Sequence, residues 1–459
     1  MSAVTPIPSL DPIRPARQFE LLSQARYQPF FWTVFLGTFN DNLLKFAITI
    51  LLTYQVQLTW LPPAQVGPAL GALFMVPSLL LSAWCGQLAD KWPLDRLIRW
   101  GKALEVAMMT LAAWALLQRQ VPLLLLCVLL SGIHVTLFAT VKYAYLPRHL
   151  SAPELIGGNG LLEMGMFMAI LLGTLVGGPL IMGAWLPPDW PPRWSERATV
   201  WAVPVLIMAV SLVGWWRSQA VPLTRPTDPG LVLHFSVWRE SWRHVRFSQG
   251  QGGVLLSILG ISWMWFFGAM FMMLFPALTR DVLHAQASVA SWLLVLVSLG
   301  IGVGALCCER LSRGRQPLVL VPVGALGMAV FGGDVAWLTW QMGQAPQVLS
   351  GEWGLQAFLT HPPHARLMLD VWLMAMSVGL FSVPLYADMQ ARSSDSHRAR
   401  IVAANNILNA VAMVLSALMA GGLLAAGLSL GAVLGTTVAL HVLICILHTC
   451  SKGVGREKP

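Results

Sequence analysis

The sequence reads as an all-α membrane protein: twelve transmembrane helices forming two pseudo-symmetric six-helix bundles. Three observations predict this. The 459-residue chain is 56% hydrophobic and only 11% charged, where a soluble domain carries about 25% charged residues. Its apolar segments run 19–32 residues each, long enough to cross a bilayer as helix. The second half also repeats landmarks of the first in the same order.

The predicted spans are 27–55, 66–89, 97–118, 121–145, 155–186, 199–217, 252–280, 286–309, 317–342, 365–388, 398–427 and 430–450. A polar, Pro-rich tail, 1–26, precedes them. It has no apolar core of the kind a cleavable signal peptide needs. Span one carries the most informative anomaly, Phe39-Asn40-Asp41-Asn42 followed by Lys45. Asp41 lies about 16 Å into the helix at 1.5 Å per residue, near mid-depth. A charge there costs about 2.5–3.5 kcal/mol on insertion scales. Asp41 and Lys45 are four apart and share a helix face, with Thr38, Asn42, Thr49 and Thr53 close to it. Such a stripe must face protein or water, so a substrate or ion pathway is expected.

Span two ends in Gly86-Gln-Leu-Ala-Asp90-Lys91, with Arg96 beyond; span eight ends in Glu309-Arg310, with Arg315 at the same remove. Span four ends in Phe138-Ala-Thr-Val-Lys142-Tyr143, and span ten in Phe381-Ser-Val-Pro-Leu-Tyr386. Span five opens on Asn159-Gly-Leu-Leu-Glu163 and span eleven on Asn405-Asn-Ile-Leu-Asn409; each then reaches a double glycine. The domains are therefore 27–217 and 251–450, joined by a linker 218–250 and closed by a tail 451–459. A parallel six-plus-six repeat places substrate between the halves near mid-membrane. Within the linker, Trp238, Arg239, Trp242, Arg243 and Arg246 form a basic amphipathic stretch. It is suited to an inner membrane surface; a plain solvated linker is the alternative.

Charge sets the orientation. With the N-terminus inside, 23 of the 29 Lys and Arg fall on the inner side, Lys102 among them, five fall outside, and Lys45 is in the membrane. By the positive-inside rule both termini are cytoplasmic. The net charge of +9 reflects this topology and anionic lipid head groups rather than nucleic acid. None of the six cysteines lies in an outer loop, so no structural disulfide is expected.

The Gly86–Lys91 segment resembles the loop signature of the major facilitator superfamily. That resemblance covers the whole chain in length and span count and implies the superfamily's fold. Within it, Phe39-Asn40-Asp41-Asn42, Ala139-Thr-Val-Lys142-Tyr143 and Gly158-Asn159-Gly160-Leu-Leu-Glu163 resemble the bacterial lysophospholipid transporters. That implies inward flipping of lysophospholipid, chiefly lysophosphatidylethanolamine, across the bacterial inner membrane. It also implies a partner acyltransferase that restores the second chain. No His-x-x-x-x-Asp occurs in the sequence, so that enzyme is expected to be a separate polypeptide. The chain is expected to be a monomeric multi-pass transporter, not an enzyme, without cofactor. A coupling ion, H+ or Na+, and downhill transport driven by reacylation both stay open.

Candidate substrate contacts are Asn40, Asp41, Asn42, Lys45, His134, Phe138, Lys142, Asn159 and Glu163, with an acyl-chain wall from Trp263, Trp265, Phe267, Ser377 and Phe381. A phosphoethanolamine would place its ammonium at Asp41 and its phosphate on a buried cation. Span seven has no basic residue before Arg280, so Lys45 leads for the phosphate, ahead of Lys142 and His134. The alternatives are plainer: Asp41 and Lys45 neutralise each other, Lys142 anchors topology, Glu163 and Asn159 bond a neighbouring helix, and the aromatics pack. The resemblance further implies a gate of Asp90, Lys91 and Arg96 with Glu309, Arg310 and Arg315, locking the outward-facing state. Gly165, Gly173, Gly177, Gly178 and Pro179 partly resemble the glycine–proline motif of drug antiporters. A cation-coupled drug or metabolite exporter is therefore the second reading.

Overall fold

The computed structural model describes residues 17–56, 58, 60, 63–183, 191–234, 253–312, 317–344, 353–393 and 398–454. Among the described residues, twelve helices are long and apolar enough to cross a membrane. They are α1 (Gln28–Ile50), α2 (Pro63–Lys91), α3 (Leu94–Leu117), α4 (Val121–His149), α5 (Leu155–Met182), α6 (Pro192–Ser218), α7 (Val254–Ala277), α8 (Ala287–Ser312), α9 (Leu320–Gln344), α10 (Pro362–Arg392), α11 (Arg398–Ala425) and α12 (Leu430–Val454). α1 and α7 each continue into a five-residue π-helical turn, Leu51–Gln55 and Leu278–Val282. α6 starts seven residues earlier than the hydropathy suggests. Pro191 and Pro192 open it, and proline's fixed φ suits a first turn.

α1 packs on α5 and α6, α2 on α4, and α3 on α4 and α6; in the second half α10 packs on α8 and α9, α7 on α11, and α9 on α12. The halves meet along two seams, α2 with α11 and α5 with α8. Each seam needs a residue without a side chain. A Cβ on Gly86 would lie 2.7 Å from the Ala403 Cβ, and one on Gly160 would lie 2.5 Å from the Ala305 carbonyl oxygen. Gly86 and Ala305 each stand four residues before the helix-end acid, Asp90 or Glu309. The seams are thus the same contact made twice, as the repeat predicts.

Polar contacts between the halves gather at the end that carries the basic loops. Arg400 of α11 pairs with Asp90 of α2 at 3.0 Å. The Asn159 and Gln390 amides exchange hydrogen bonds of 2.7 and 3.0 Å. The Gln18 N–H donates to both oxygens of Glu309, at 3.2 and 3.0 Å. Deeper in, the repeat-related Tyr143 and Tyr386 stack at 4.5 Å with ring planes 6° apart. This is a conformation closed at the basic end.

The first stretch of the linker is fixed to the first half. The Thr227 and Asp228 N–H groups donate to the Asp90 carbonyl at 3.0 and 2.9 Å, and the Thr224 N–H donates to Asp95 at 2.8 Å. The basic amphipathic stretch around Trp238 and Trp242 lies outside the described residues. Cys85, Cys127, Cys307 and Cys308 are free thiols.

The seam geometry gives a direct expectation. Gly160→Leu forces a side chain against the backbone of α8, an overpacking of about 1–3 kcal/mol against the closed form. Spin labels on the basic ends of α5 and α8 should show longer distances in this variant. Unchanged distances would mean that the seam has slack.

Candidate functional site

The polar stripe of α1 faces the interior of the first six-helix bundle. Asn40 and Asp41 are both buried. The Asn40 amide donates to Glu105 of α3 at 3.2 Å and to the Ile207 carbonyl of α6 at 3.1 Å. Asp41 Oδ2 lies 3.2 Å from Nδ1 of His134, on α4. The other ring nitrogen, Nε2, lies 3.4 Å from Glu105 Oε2. Glu105 is ion-paired with Lys102 one helical turn away. Four charged or chargeable side chains from three helices thus form one chain: Asp41, His134, Glu105, Lys102.

This arrangement corrects two expectations. Asp41 and Lys45, although four apart, do not pair. The Lys45 ammonium instead donates to Asn42 Oδ1 at 3.1 Å and sits 4.5 Å over the Phe74 ring of α2. His134 occupies the space in front of Asp41, so the acid finds its partner on another helix. Lys102 is no inner-loop anchor either; its side chain is 0% exposed. Two glycines make room for it. A Cβ on Gly37 would lie 3.2 Å from the Lys102 ammonium, and one on Gly214 would lie 2.7 Å from it. Glu105 is a site residue that the sequence reading missed. Its signal was available: Lys102-x-x-Glu105 inside the otherwise apolar middle of α3.

Beside the chain of charges is a cavity of about 40 Å³, lined by Val34, Gly37, Thr38 and Asp41 of α1 and by His134, Val135, Phe138, Ala139 and Lys142 of α4. That exceeds the roughly 10–15 Å³ a single water needs. Asp41 Oδ1 has no hydrogen-bond partner among the described residues. Across the cavity, the Lys142 ammonium lies against the Met166 sulfur at 2.8 Å and over the Tyr143 ring at 4.7 Å. Among the described residues it has no ion-pair partner. The structure thus brings Asp41, His134, Phe138 and Lys142 to one cavity, and leaves Lys45 and Asn42 to each other.

The remaining predicted contacts lie elsewhere. Glu163 accepts a 2.5 Å hydrogen bond from the Tyr143 hydroxyl. The stacked Tyr386 accepts one from Trp265 Nε1 at 3.2 Å. Glu163 and Trp265 therefore belong to the tyrosine pair between the halves. Asn159 is taken up by Gln390. Trp263 donates to His441 at 2.8 Å, and Phe267 stacks on Phe271 inside the second bundle. The Ser377 hydroxyl donates to the Leu373 carbonyl at 2.7 Å. Glycines on α9 draw this group inward: Gly327 faces Ser377, Gly324 faces the Phe381 backbone, and Gly332 faces Phe267. In this conformation Trp263, Phe267, Ser377 and Phe381 serve bundle packing, not the cavity wall.

The predicted gate is also re-partnered. Asp90 pairs with Arg400 rather than with Lys91 or Arg96, and Arg400 reaches on to Asp228 of the linker at 3.8 Å. Glu309 meets Gln18. Arg96 and Arg310 are exposed and Lys91 is half-exposed, while Arg315 lies outside the described residues. Helix-end bases next to an acid in sequence point outward to solvent; the acid reaches across the seam.

The fold and this interior describe a transporter, and the comparisons agree. A family model of the Major Facilitator Superfamily matches residues 30–417, and the chain belongs to that superfamily of transporters. More particularly, it resembles the lysophospholipid transporter LplT of Klebsiella pneumoniae, at 25% identity over 420 residues, covering 88% of this chain and 92% of the relative. It resembles that of Shigella boydii at 26% identity over 387 residues, covering 83% and 84%. Among solved structures, the human organic anion transporter MFSD10 shares the fold with a TM-score of 0.67 at 15% identity, covering 91% of this chain and 98% of that one. A bacterial homologue of the iron transporter ferroportin, in its outward-facing state, shares it with a TM-score of 0.62 at 14% identity, covering 93% and 100%.

Removing one member of a buried ion pair strands the other at a cost of about 3–5 kcal/mol, whereas removing both costs far less. Lys102→Met should therefore lower the melting temperature in detergent markedly. Lys102→Met with Glu105→Gln should recover most of the loss. Equal melting temperatures for the single and double variants would show that the two charges do not depend on each other.

Proposed function

We propose that the protein flips lysophospholipid, lysophosphatidylethanolamine first among them, from the outer to the inner leaflet of the bacterial inner membrane by alternating access. A separate acyltransferase would then restore the second chain on the cytoplasmic side, where both termini lie. One observation carries this reading: a carboxylate with one oxygen that has no hydrogen-bond partner among the described residues, Asp41, and an ammonium that makes no salt bridge among them, Lys142, line one cavity between α1 and α4. A phosphoethanolamine head group is a zwitterion and complements such a pair, ammonium to Asp41 and phosphate to Lys142. The resemblance to lysophospholipid transporters points to the same substrate class. Lys142 replaces Lys45 as the phosphate contact, because Lys45 is turned to Asn42 and Phe74.

Rocking of the halves would open and close the two seams. Asp90 with Arg400, Glu309 with Gln18, and the Tyr143–Tyr386 stack then form the inner gate. Breaking them exposes the head group to the cytoplasmic leaflet. A single acyl chain can stay against apolar helix faces while the head group crosses.

Uptake of labelled lysophosphatidylethanolamine into spheroplasts tests the assignment. Asp41→Asn should abolish uptake at normal expression, and Lys142→Ala should reduce it at least tenfold, about 1.4 kcal/mol of lost stabilisation. Lys45→Ala should have a smaller effect than Lys142→Ala. The reverse order would return the phosphate to α1, and full uptake by Asp41→Asn would remove Asp41 from the site.

A further inference from the structure

We infer that the buried cluster of α1, α3 and α4 is a binding site for one exchangeable proton, held on the His134 imidazole and released when a cation arrives at Asp41. The release rests on the reading that a head-group cation binds there.

The His134 ring is bracketed. Nδ1 faces Asp41 Oδ2 at 3.2 Å and Nε2 faces Glu105 Oε2 at 3.4 Å. A neutral imidazole has one N–H and one lone pair. In either neutral tautomer, a lone pair would point at a carboxylate oxygen. The imidazolium presents an N–H to Asp41 within hydrogen-bond reach and positive charge to Glu105, whose 3.4 Å approach to Nε2 is an ion-pair contact rather than a hydrogen bond.

Charge balance points the same way. Asp41 and Glu105 contribute two negative charges and Lys102 one positive, and no side chain of the four is more than 2% exposed. With a neutral ring these four side chains sum to one negative charge away from water, which is expensive, and neither Lys45 nor Lys142 makes a salt bridge to them among the described residues. One proton on His134 brings the sum to zero. The charged groups around the ring are Asp41 and Lys45 from α1, Lys102 and Glu105 from α3, and Lys142 from α4. Lys45 is engaged by Asn42. From α6, among the described residues, come the Ile207 carbonyl, to Asn40, and the Gly214 backbone, beside Lys102.

The cluster is open on one side. Asp41, whose Oδ1 has no hydrogen-bond partner among the described residues, and His134 both line the cavity. A cation at Asp41 supplies the missing positive charge, and the ring proton becomes surplus. The proton leaves Nδ1 for water through the cavity, and the ring keeps its N–H toward Glu105. Linkage is reciprocal, so the proton weakens cation binding by the same factor. Glu105 is a positioning residue here: it is the second bracket that makes the charged ring necessary.

Proton release can be counted with the purified full-length protein in maltoside micelles, in weak buffer near pH 7 with a pH dye. The probe is dodecyltrimethylammonium, a permanent cation with no proton to lose. Wild type should release roughly one proton per cation bound, as linkage at a single site requires. The ratio should fall toward zero in His134→Gln and in Glu105→Gln. Binding without release in wild type, an unchanged ratio in both variants, or no binding of the probe would each overturn the proton site. Lysophosphatidylethanolamine is titrated in parallel. If the probe binds and releases a proton but the lysolipid does not bind, the proton site stands and the proposed substrate falls.

Discussion

Burying charge inside a membrane-spanning bundle is tolerable only if each charge meets its complement, and in this protein that requirement organises the first half. Asp41 from α1, Glu105 and Lys102 from α3, and His134 from α4 contact one another in a single chain of opposite charges, with Asn40 tying the chain to α6. The helices must sit where these groups meet. Gly37 and Gly214 are glycines because the Lys102 ammonium lies where their side chains would be. Asp41, which lines the cavity, has one oxygen left without a hydrogen-bond partner among the described residues. In the proposed mechanism that residual oxygen is what a substrate cation reads.

The second organising feature is the pair of seams. Close helix approach at Gly86 and at Gly160 lets a few polar contacts span the halves: Asp90 to Arg400, Asn159 to Gln390, Glu309 to Gln18. The tyrosine stack sits between the seams and carries Glu163 and Trp265 with it. Repeat-equivalent residues meet face to face here, as a parallel repeat about an axis along the membrane normal allows. The same symmetry would let both seams loosen together, as the proposed alternating access requires.

Much of this was legible in the sequence. The twelve spans follow from hydropathy, since a bilayer fixes how long an apolar helix must be. The equivalence of Tyr143 with Tyr386 followed from the repeat, and the burial of Asp41 within protein from its depth. Partner choice was not legible. Whether Asp41 turns to Lys45 or to His134 depends on which helix stands opposite, and i, i+4 spacing cannot report that. Lys102 was hidden by counting bases near a span end, where a buried lysine and a topological anchor look alike. Trp263, Phe267, Ser377 and Phe381 share helix faces that sequence shows well enough, but the glycines of α9 decide that those faces turn inward.

The most direct test of the central claim uses purified protein in proteoliposomes, with lysophosphatidylethanolamine and a diacyl phosphatidylethanolamine of matched chain length, each labelled on the outer leaflet. If the head group crosses at Asp41 and Lys142 while one chain follows along the helices, the single-chain lipid should reach the inner leaflet and the two-chain lipid should not. Equal translocation of both lipids, or of neither, would contradict it.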